Sequence, residues 1–194
     1  METLFETDKC KFWIVKNFSE DLYKVMSQVE LEIKPEIKVY GKVCHQQRDV
    51  GFFSDESSGY IYSKQKTKSR PMTKEMKELM EKVNEYLGTK FNGILVNKYN
   101  NGNEYLSAHS DSEVGLDRDG IVAGISYGAV RKFRIREKKT KKIVLDYDHE
   151  PCSLIVMDNK TEERLFQETY THEIPIQKKV KESRISLTFR THVN

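Results

Sequence analysis

His109-Ser110-Asp111 and, much later in the chain, His172 are the residues best suited to chemistry. Two imidazoles and one carboxylate can hold one face of an iron(II) octahedron and leave the opposite positions open to reactants. Alternate side chains of a strand share a face, so His109 and Asp111 would reach one ion together while Ser110 points away. His172 would arrive from a distant strand. A lone His-x-Asp is more often a surface turn, so the weight of this reading rests on a segment downstream of His172. His45, His149 and His192 lack such partners and read as structural.

That segment is Arg184-Ile-Ser-Leu-Thr-Phe-Arg190. Residues 184, 186, 188 and 190 alternate onto one face, while Ile185, Leu187 and Phe189 fill the other. Such a strand is half buried, and its polar face lines a cavity. Lysine is far commoner than arginine in this chain, so two arginines on one strand stand out. Their planar, permanently charged forks grip carboxylates with paired hydrogen bonds. A metal face beside two such forks implies an iron enzyme that uses a dicarboxylate co-substrate.

These side chains must be held by a β-rich scaffold. The spacing predicts a short helix from Ser19 to Val29, with Leu22, Val25, Met26 and Val29 on one face. A second helix is predicted from Thr73 to Leu87, after Pro71, with Thr73 as its cap and Gly88 as its stop. Its buried stripe is Met76, Leu79, Met80, Val83 and Leu87. Ile37 to Tyr62 reads as strands or a hairpin. From Phe91 onward short strands dominate: Ile94–Tyr99, Ile121–Tyr127, Lys132–Arg136, Lys142–Leu145, Ser153–Met157, His172–Ile176 and Arg184–Thr191. Turn-formers such as Asn100-Asn-Gly102 and Asp119-Gly120 separate them. Many short strands with few late helices imply an α+β, mainly β fold of jelly-roll type. No linker divides the chain, which reads as one domain over 1–194.

At 37 % hydrophobic and 10 % aromatic residues the chain is composed to fold, not to stay disordered. A net charge of +3 allows nucleic acid as a partner without demanding it. The first ten residues carry acids and no basic stretch leading into an apolar run, so no secretory signal is read. No segment is apolar for long enough to cross a bilayer, and no membrane partner is expected. Cys10, Cys44 and Cys152 are odd in number and widely spaced, which speaks against a disulfide framework and for an intracellular setting, nucleus or cytoplasm.

Asn97-Lys-Tyr99, His109-Ser-Asp111, His172 and Arg184-Ile-Ser-Leu-Thr-Phe-Arg190 together resemble the AlkB family of iron(II)/2-oxoglutarate dioxygenases. The resemblance runs from about Val39 to Val193. It is most specific in the last strand, where the family pattern is R-x-N-x-T-x-R and Ser186 stands in place of the asparagine. It implies a double-stranded β-helix core over 91–194. It also implies Fe(II) on His109, Asp111 and His172, with 2-oxoglutarate and O2 as co-substrates. Asn97 and Arg190 would hold the C1 end of 2-oxoglutarate, and Tyr99 and Arg184 its C5 carboxylate. Ser186 and Thr188 would line the pocket.

Val39-Tyr-Gly-Lys-Val-Cys-His-Gln-Gln-Arg48, continuing to Tyr60-Ile-Tyr62, resembles the nucleotide-recognition lid of the duplex-repair branch of that family. The lid would span 37–70. Tyr40, Arg48, Tyr60 and Tyr62 fall at that branch's positions, and Gln47 replaces a proline. An enzyme that acts on a base edge must take the base out of the stack. Tyr40 would fill the gap as a finger, and Tyr62 would stack on the extracted base. Glu113 resembles a position close to that base, where it could accept from an exocyclic amine. Three basic clusters could meet phosphates, Lys64–Arg70, Lys138–Lys142 and Lys178–Lys181, and the middle one reads as a solvated face. Lys178-Lys179-Val-Lys181 resembles a loop that meets the opposite DNA strand.

The expectation is a monomeric oxidative demethylase of N-alkylated bases in duplex or single-stranded DNA. RNA as substrate, or a protein hydroxylase on the same scaffold, are the alternatives.

Overall fold

The computed structural model describes residues 1–39, 41–62, 65–112, 115–117, 120–160 and 165–193, with the backbone alone at 39, 60–62, 65–66 and 165. Two strands, β1 (Glu2–Glu6) and β2 (Cys10–Val15), precede a single helical turn, α1 (Tyr23–Met26). A hairpin of β3 (Glu36–Val39) and β4 (Lys42–His45) comes next, then β5 (Asp49–Phe53), β6 (Gly59–Tyr62), β7 (Gln65–Arg70) and helix α2 (Lys74–Leu87). Beyond it run β8 (Gly93–Tyr99), β9 (Leu106–His109), β10 (Val122–Gly128), β11 (Arg131–Glu137), β12 (Ile143–His149) and β13 (Leu154–Asn159). The short helix α3 (Leu165–Thr169) leads into β14 (Tyr170–Ile174), and β15 (Arg184–Arg190) closes the series.

A nine-stranded sheet has the order β1-β2-β13-β10-β15-β8-β5-β7-β6, and a four-stranded sheet the order β12-β11-β14-β9. Phe12, Ile155 and Met157 of the larger sheet share one core with Phe133, Ile135, Tyr170 and Ile174 of the smaller. The two sheets therefore face each other as the jelly-roll reading requires. Strands from before residue 91 also enter the large sheet, β5 directly beside β8 and β2 beside β13.

The sequence pattern of β15 explains its place at the middle of the large sheet. Ile185, Leu187 and Phe189 are fully buried on the outer face, against Ile94, Val96, Ala123 and Ile125 of its neighbours. Helix α2 covers that face with Met76, Leu79, Met80 and Val83. Its ends are as the sequence implies: Thr73 Oγ1 accepts from the Met76 N–H, and Gly88 closes it in the left-handed region at φ 67°. The alternate residues of β15 are thereby turned to the inner face.

The first helix is shorter than its periodicity predicts. The N–H groups of Phe18 and Ser19 both donate to the Cys152 carbonyl, at 2.8 and 3.2 Å, which ties that stretch to a loop and leaves one turn to α1. Strand β12 runs on to His149 instead of ending at Leu145. Strands β1, β2 and β9 and helix α3 carry no periodic signal long enough to be legible in the sequence.

Candidate active site

The metal ligands are assembled by strand pairing. His172 on β14 lies directly opposite His109 at the end of β9, and their rings stand 4.3 Å apart. Phe133 stacks on the His172 ring at 5.5 Å and shields it from solvent. Asp111 is not on the strand with His109, because β9 ends at that histidine. A turn brings it in. The Asp111 N–H donates to Gln167 Oε1 at 2.9 Å, and Ser110 Oγ donates to the Tyr170 carbonyl at 2.8 Å. Helix α3 thus fixes the turn to the strand that bears His172.

The result is a cluster of three ligand atoms within 4.8 Å of one another. Asp111 Oδ1 lies 3.6 Å from His109 Nε2 and 3.8 Å from His172 Nε2. His109 Nδ1 stands 2.9 Å from the Ser107 carbonyl. A carbonyl only accepts, so Nδ1 carries the proton and the Nε2 lone pair is left for a metal. Burial keeps both imidazoles neutral, with His172 lowered to about 3. Burial alone would raise Asp111, but the Arg190 charge and the two histidines outweigh it and hold the carboxyl at about 2. Two neutral imidazoles and one ionised carboxylate fit iron(II).

The facing wall is the inner side of the large sheet. Asn97, Tyr99, Arg184, Ser186, Thr188 and Arg190 all line one cavity together with His109 and His172. Ladder pairing explains the grouping, since Ser186 sits opposite Asn97 and Arg184 opposite Tyr99. Arg190 forks onto Asp111, Nη2 to Oδ1 at 2.8 Å and Nε to Oδ2 at 3.0 Å, and so holds the carboxylate from behind. Arg48 also lines this cavity, and its Nε donates to Asn97 Oδ1 at 2.7 Å. It stands on the Asn97 side of the site, just ahead of β5.

Arg184 lies at the other end. It is 2 % exposed, and its guanidinium and that of Arg131 each stand 5.6 Å from the Tyr99 ring. Its Nη2 meets His149 Nδ1 at 3.2 Å, while Nε and Nη1 have no hydrogen-bond partner among the described residues. Burial lowers its pKa to about 10, still cationic at neutral pH. A buried cation with unmatched donors in a cavity wall is a demand for an anion.

Sequence reasoning missed four residues here. His149, read as structural, touches Arg184. Gln167 holds the Asp111 turn. Arg131, fully buried, donates to the carbonyls of Asn101, Glu104 and Pro175. Gly102 lets that loop touch the next, for a Cβ there would stand 1.9 Å from the Gln177 carbonyl oxygen. A buried arginine that opens a strand, and a glycine in an Asn-Asn-Gly turn, were the available signals.

On the substrate side, the β3–β4 hairpin pairs only within itself among the described residues and exposes all four residues of β4. Its strands close on the Val39–Lys42 pair. Tyr40 and Glu113 lie outside the described residues. Tyr60 and Tyr62 occupy β6, opposite Thr67 and Gln65, and their side chains lie outside the description. Lys178 and Lys179 are exposed on the loop between β14 and β15, whose base Gly102 and Arg131 fasten.

A model of the 2OG-Fe(II) oxygenase superfamily matches residues 13–190. The chain belongs to that superfamily. Its metal triad and the arginine-lined cavity are those of an iron(II)/2-oxoglutarate-dependent dioxygenase. Among curated relatives, the mouse DNA oxidative demethylase ALKBH2 is 28 % identical over 182 residues, covering 86 % of this chain and 73 % of that protein. The human alpha-ketoglutarate-dependent dioxygenase alkB homolog 3 is 34 % identical over 119 residues, but the match covers 60 % of this chain and 42 % of that protein. In fold, the solved structure of OsALKBH1 superposes with a TM-score of 0.61 at 15 % identity, over 93 % of this chain and 97 % of that one. A prolyl hydroxylase from Trichoplax adhaerens does so at 0.59 and 12 % identity, over 93 % and 83 %.

Proposed function

We propose that this dioxygenase removes methyl groups from N-alkylated bases in DNA, of the 1-methyladenine and 3-methylcytosine type. One observation carries the chemistry: buried Arg184, with its orphaned N–H groups, lines the same cavity as His109 and His172 of the metal cluster. A dicarboxylate that spans it would set one carboxylate on Arg184 and Tyr99, and bring its keto-acid end beside Asn97, Arg190 and the metal ligands. Iron(II) held by His109, Asp111 and His172 would bind and activate O2, which is the oxidant. 2-Oxoglutarate and O2 become succinate and CO2, and one oxygen atom enters an N-methyl C–H bond. The hydroxymethyl product then loses formaldehyde and leaves the free base nitrogen. The protein's share is to bind, orient and keep water out.

The nucleic-acid substrate is supported by the names of the curated relatives and by the exposed hairpin that carries Lys38 and Lys42. A monomer working inside the cell, in nucleus or cytoplasm, is the matching setting, and three free thiols are consistent with it. The test is to incubate the protein with iron(II), 2-oxoglutarate and methylated single-stranded DNA, duplex DNA and RNA oligomers, then weigh the products. DNA should lose its methyl group while succinate forms in equal amount. Demethylation of RNA alone would move the substrate to RNA. Turnover of 2-oxoglutarate with no change in any nucleic acid would overturn the reading in favour of a protein substrate.

A further inference from the structure

His149 closes β12 at the far end of the cavity, 1 % exposed, in register with Arg131 and in contact with Arg184. Its hydrogen bonds fix its tautomer. Nε2 stands 3.0 Å from the Ser153 carbonyl, which only accepts, so Nε2 bears the proton. Nδ1 then offers a lone pair to Arg184 Nη2, which only donates. The Ser153 carbonyl is itself held by a tight turn, in which Ser153 Oγ donates to the Glu150 carbonyl at 2.6 Å and Cys152 sits at φ 62°.

A buried arginine is usually oriented by a carboxylate. An aspartate or glutamate here would match the Arg184 charge and repel an incoming dicarboxylate. A neutral imidazole orients the fork and leaves its charge unspent. We propose that His149 is a positioning residue for the co-substrate: its Nδ1 lone pair holds Arg184 at Nη2 and so fixes the plane of the guanidinium for the distal carboxylate of 2-oxoglutarate. The inference rests on the reading of Arg184 as that carboxylate's anchor. Burial, followed by the Arg184 charge, lowers the imidazole to about 3, so it stays neutral over the working range.

The test measures 2-oxoglutarate affinity by calorimetry on Mn(II)-loaded protein, which needs no turnover, beside the Mn(II) affinity of each variant. His149→Phe keeps the ring volume and loses the acceptor, so it should bind 2-oxoglutarate about tenfold more weakly. Its Mn(II) affinity and its kcat at saturating co-substrate should match wild type. His149→Asn restores an acceptor near the position of Nδ1 and should recover most of the loss. If His149→Phe does not fold, His149→Gln, whose amide can still reach Ser153 but places no acceptor at Nδ1, takes its place against His149→Asn. Wild-type binding by His149→Phe, with Arg184→Lys impaired, would overturn the role of His149 and leave Arg184 as the anchor. Equal losses in His149→Phe and His149→Asn would overturn it too, since only the ring would then matter. Wild-type binding by Arg184→Lys would remove the anchor reading, and this inference with it.

Discussion

The site divides its charges between two walls, and single residues test each wall. Asp111 is shared between the metal cluster and the Arg190 fork, so a change at either partner reaches the other. His109→Ala, Asp111→Ala and His172→Ala should each abolish succinate formation, because a three-ligand facial site cannot lose one and still hold iron in place. Full succinate release by His172→Ala would remove the metal assignment. Arg184→Lys and Arg190→Lys keep charge but lose the planar fork. Each should raise the KM for 2-oxoglutarate by roughly ten- to a hundredfold, the worth of one or two charge-assisted hydrogen bonds. Steady-state kinetics with 2-oxoglutarate as the varied substrate checks this, and unchanged KM in both would place the dicarboxylate elsewhere. His149 adds a stability term. Its pKa lies near 3 in the fold and near 6.5 when exposed. The unfolded chain therefore takes up the proton first. Stability present above about pH 6.5 is lost as pH falls toward 3, by up to about 1.4 kcal/mol per pH unit. Urea midpoints measured from pH 7 down to pH 4.5 should fall faster for wild type than for His149→Asn, and parallel curves would show that the imidazole does not drive the loss.

At the scale of elements, the turn after β9 shows how a ligand set depends on a helix that touches no metal. Gln167 on α3 accepts from the Asp111 N–H, and the Lys138 ammonium donates to the Gln167 carbonyl at 2.6 Å. Gln167→Ala should leave the strands intact but loosen the turn. Iron(II) or Mn(II) affinity should fall ten- to a hundredfold, the usual cost of losing a group that orients a ligand. An unchanged metal titration would mean that backbone pairing of His109 with His172 suffices alone. The same turn marks the limit of what the sequence discloses. Arg184 to Arg190 can be placed, face and all, because period-two alternation is written in the residues themselves. Helix α2 is legible from its stripe and from Thr73 and Gly88. Asp111 does not share a strand with His109 as simple alternation predicts, since Leu106-Ser-Ala-His109 carries no β-rich signal and is a strand only because β14 pairs with it. Gln167 and His149 are illegible for a related reason. Their roles are contacts with residues far along the chain, and no local pattern records them.

Taken whole, the molecule sets a charged cavity between two sheets and carries two exposed features, the β3–β4 hairpin and the Lys178–Lys181 loop. The loop is built to stay put: the Gly102 N–H donates to the Val180 carbonyl at 2.9 Å, the Gln177 N–H to the Gly102 carbonyl at 2.8 Å, and Arg131 holds Pro175. If this loop meets DNA, its lysines would act as steady charges toward phosphate. Lys178→Ala with Lys179→Ala should weaken binding to all DNA sequences alike and flatten the salt dependence, since each lost phosphate contact releases fewer counterions. The hairpin makes a different demand. A finger residue is needed only where a base must be replaced within a stacked duplex. If Tyr40 is that finger, Tyr40→Ala should lose far more activity on methylated duplex DNA than on a single strand. Tyr62→Ala should lose activity on both, because stacking on the extracted base, worth roughly 1–3 kcal/mol, is required either way. The comparison needs only the ratio of kcat/KM on the two substrates for each variant. A ratio for Tyr40→Ala equal to that of wild type would take the finger away from Tyr40 and favour a single-stranded substrate, with the cavity chemistry left as it is.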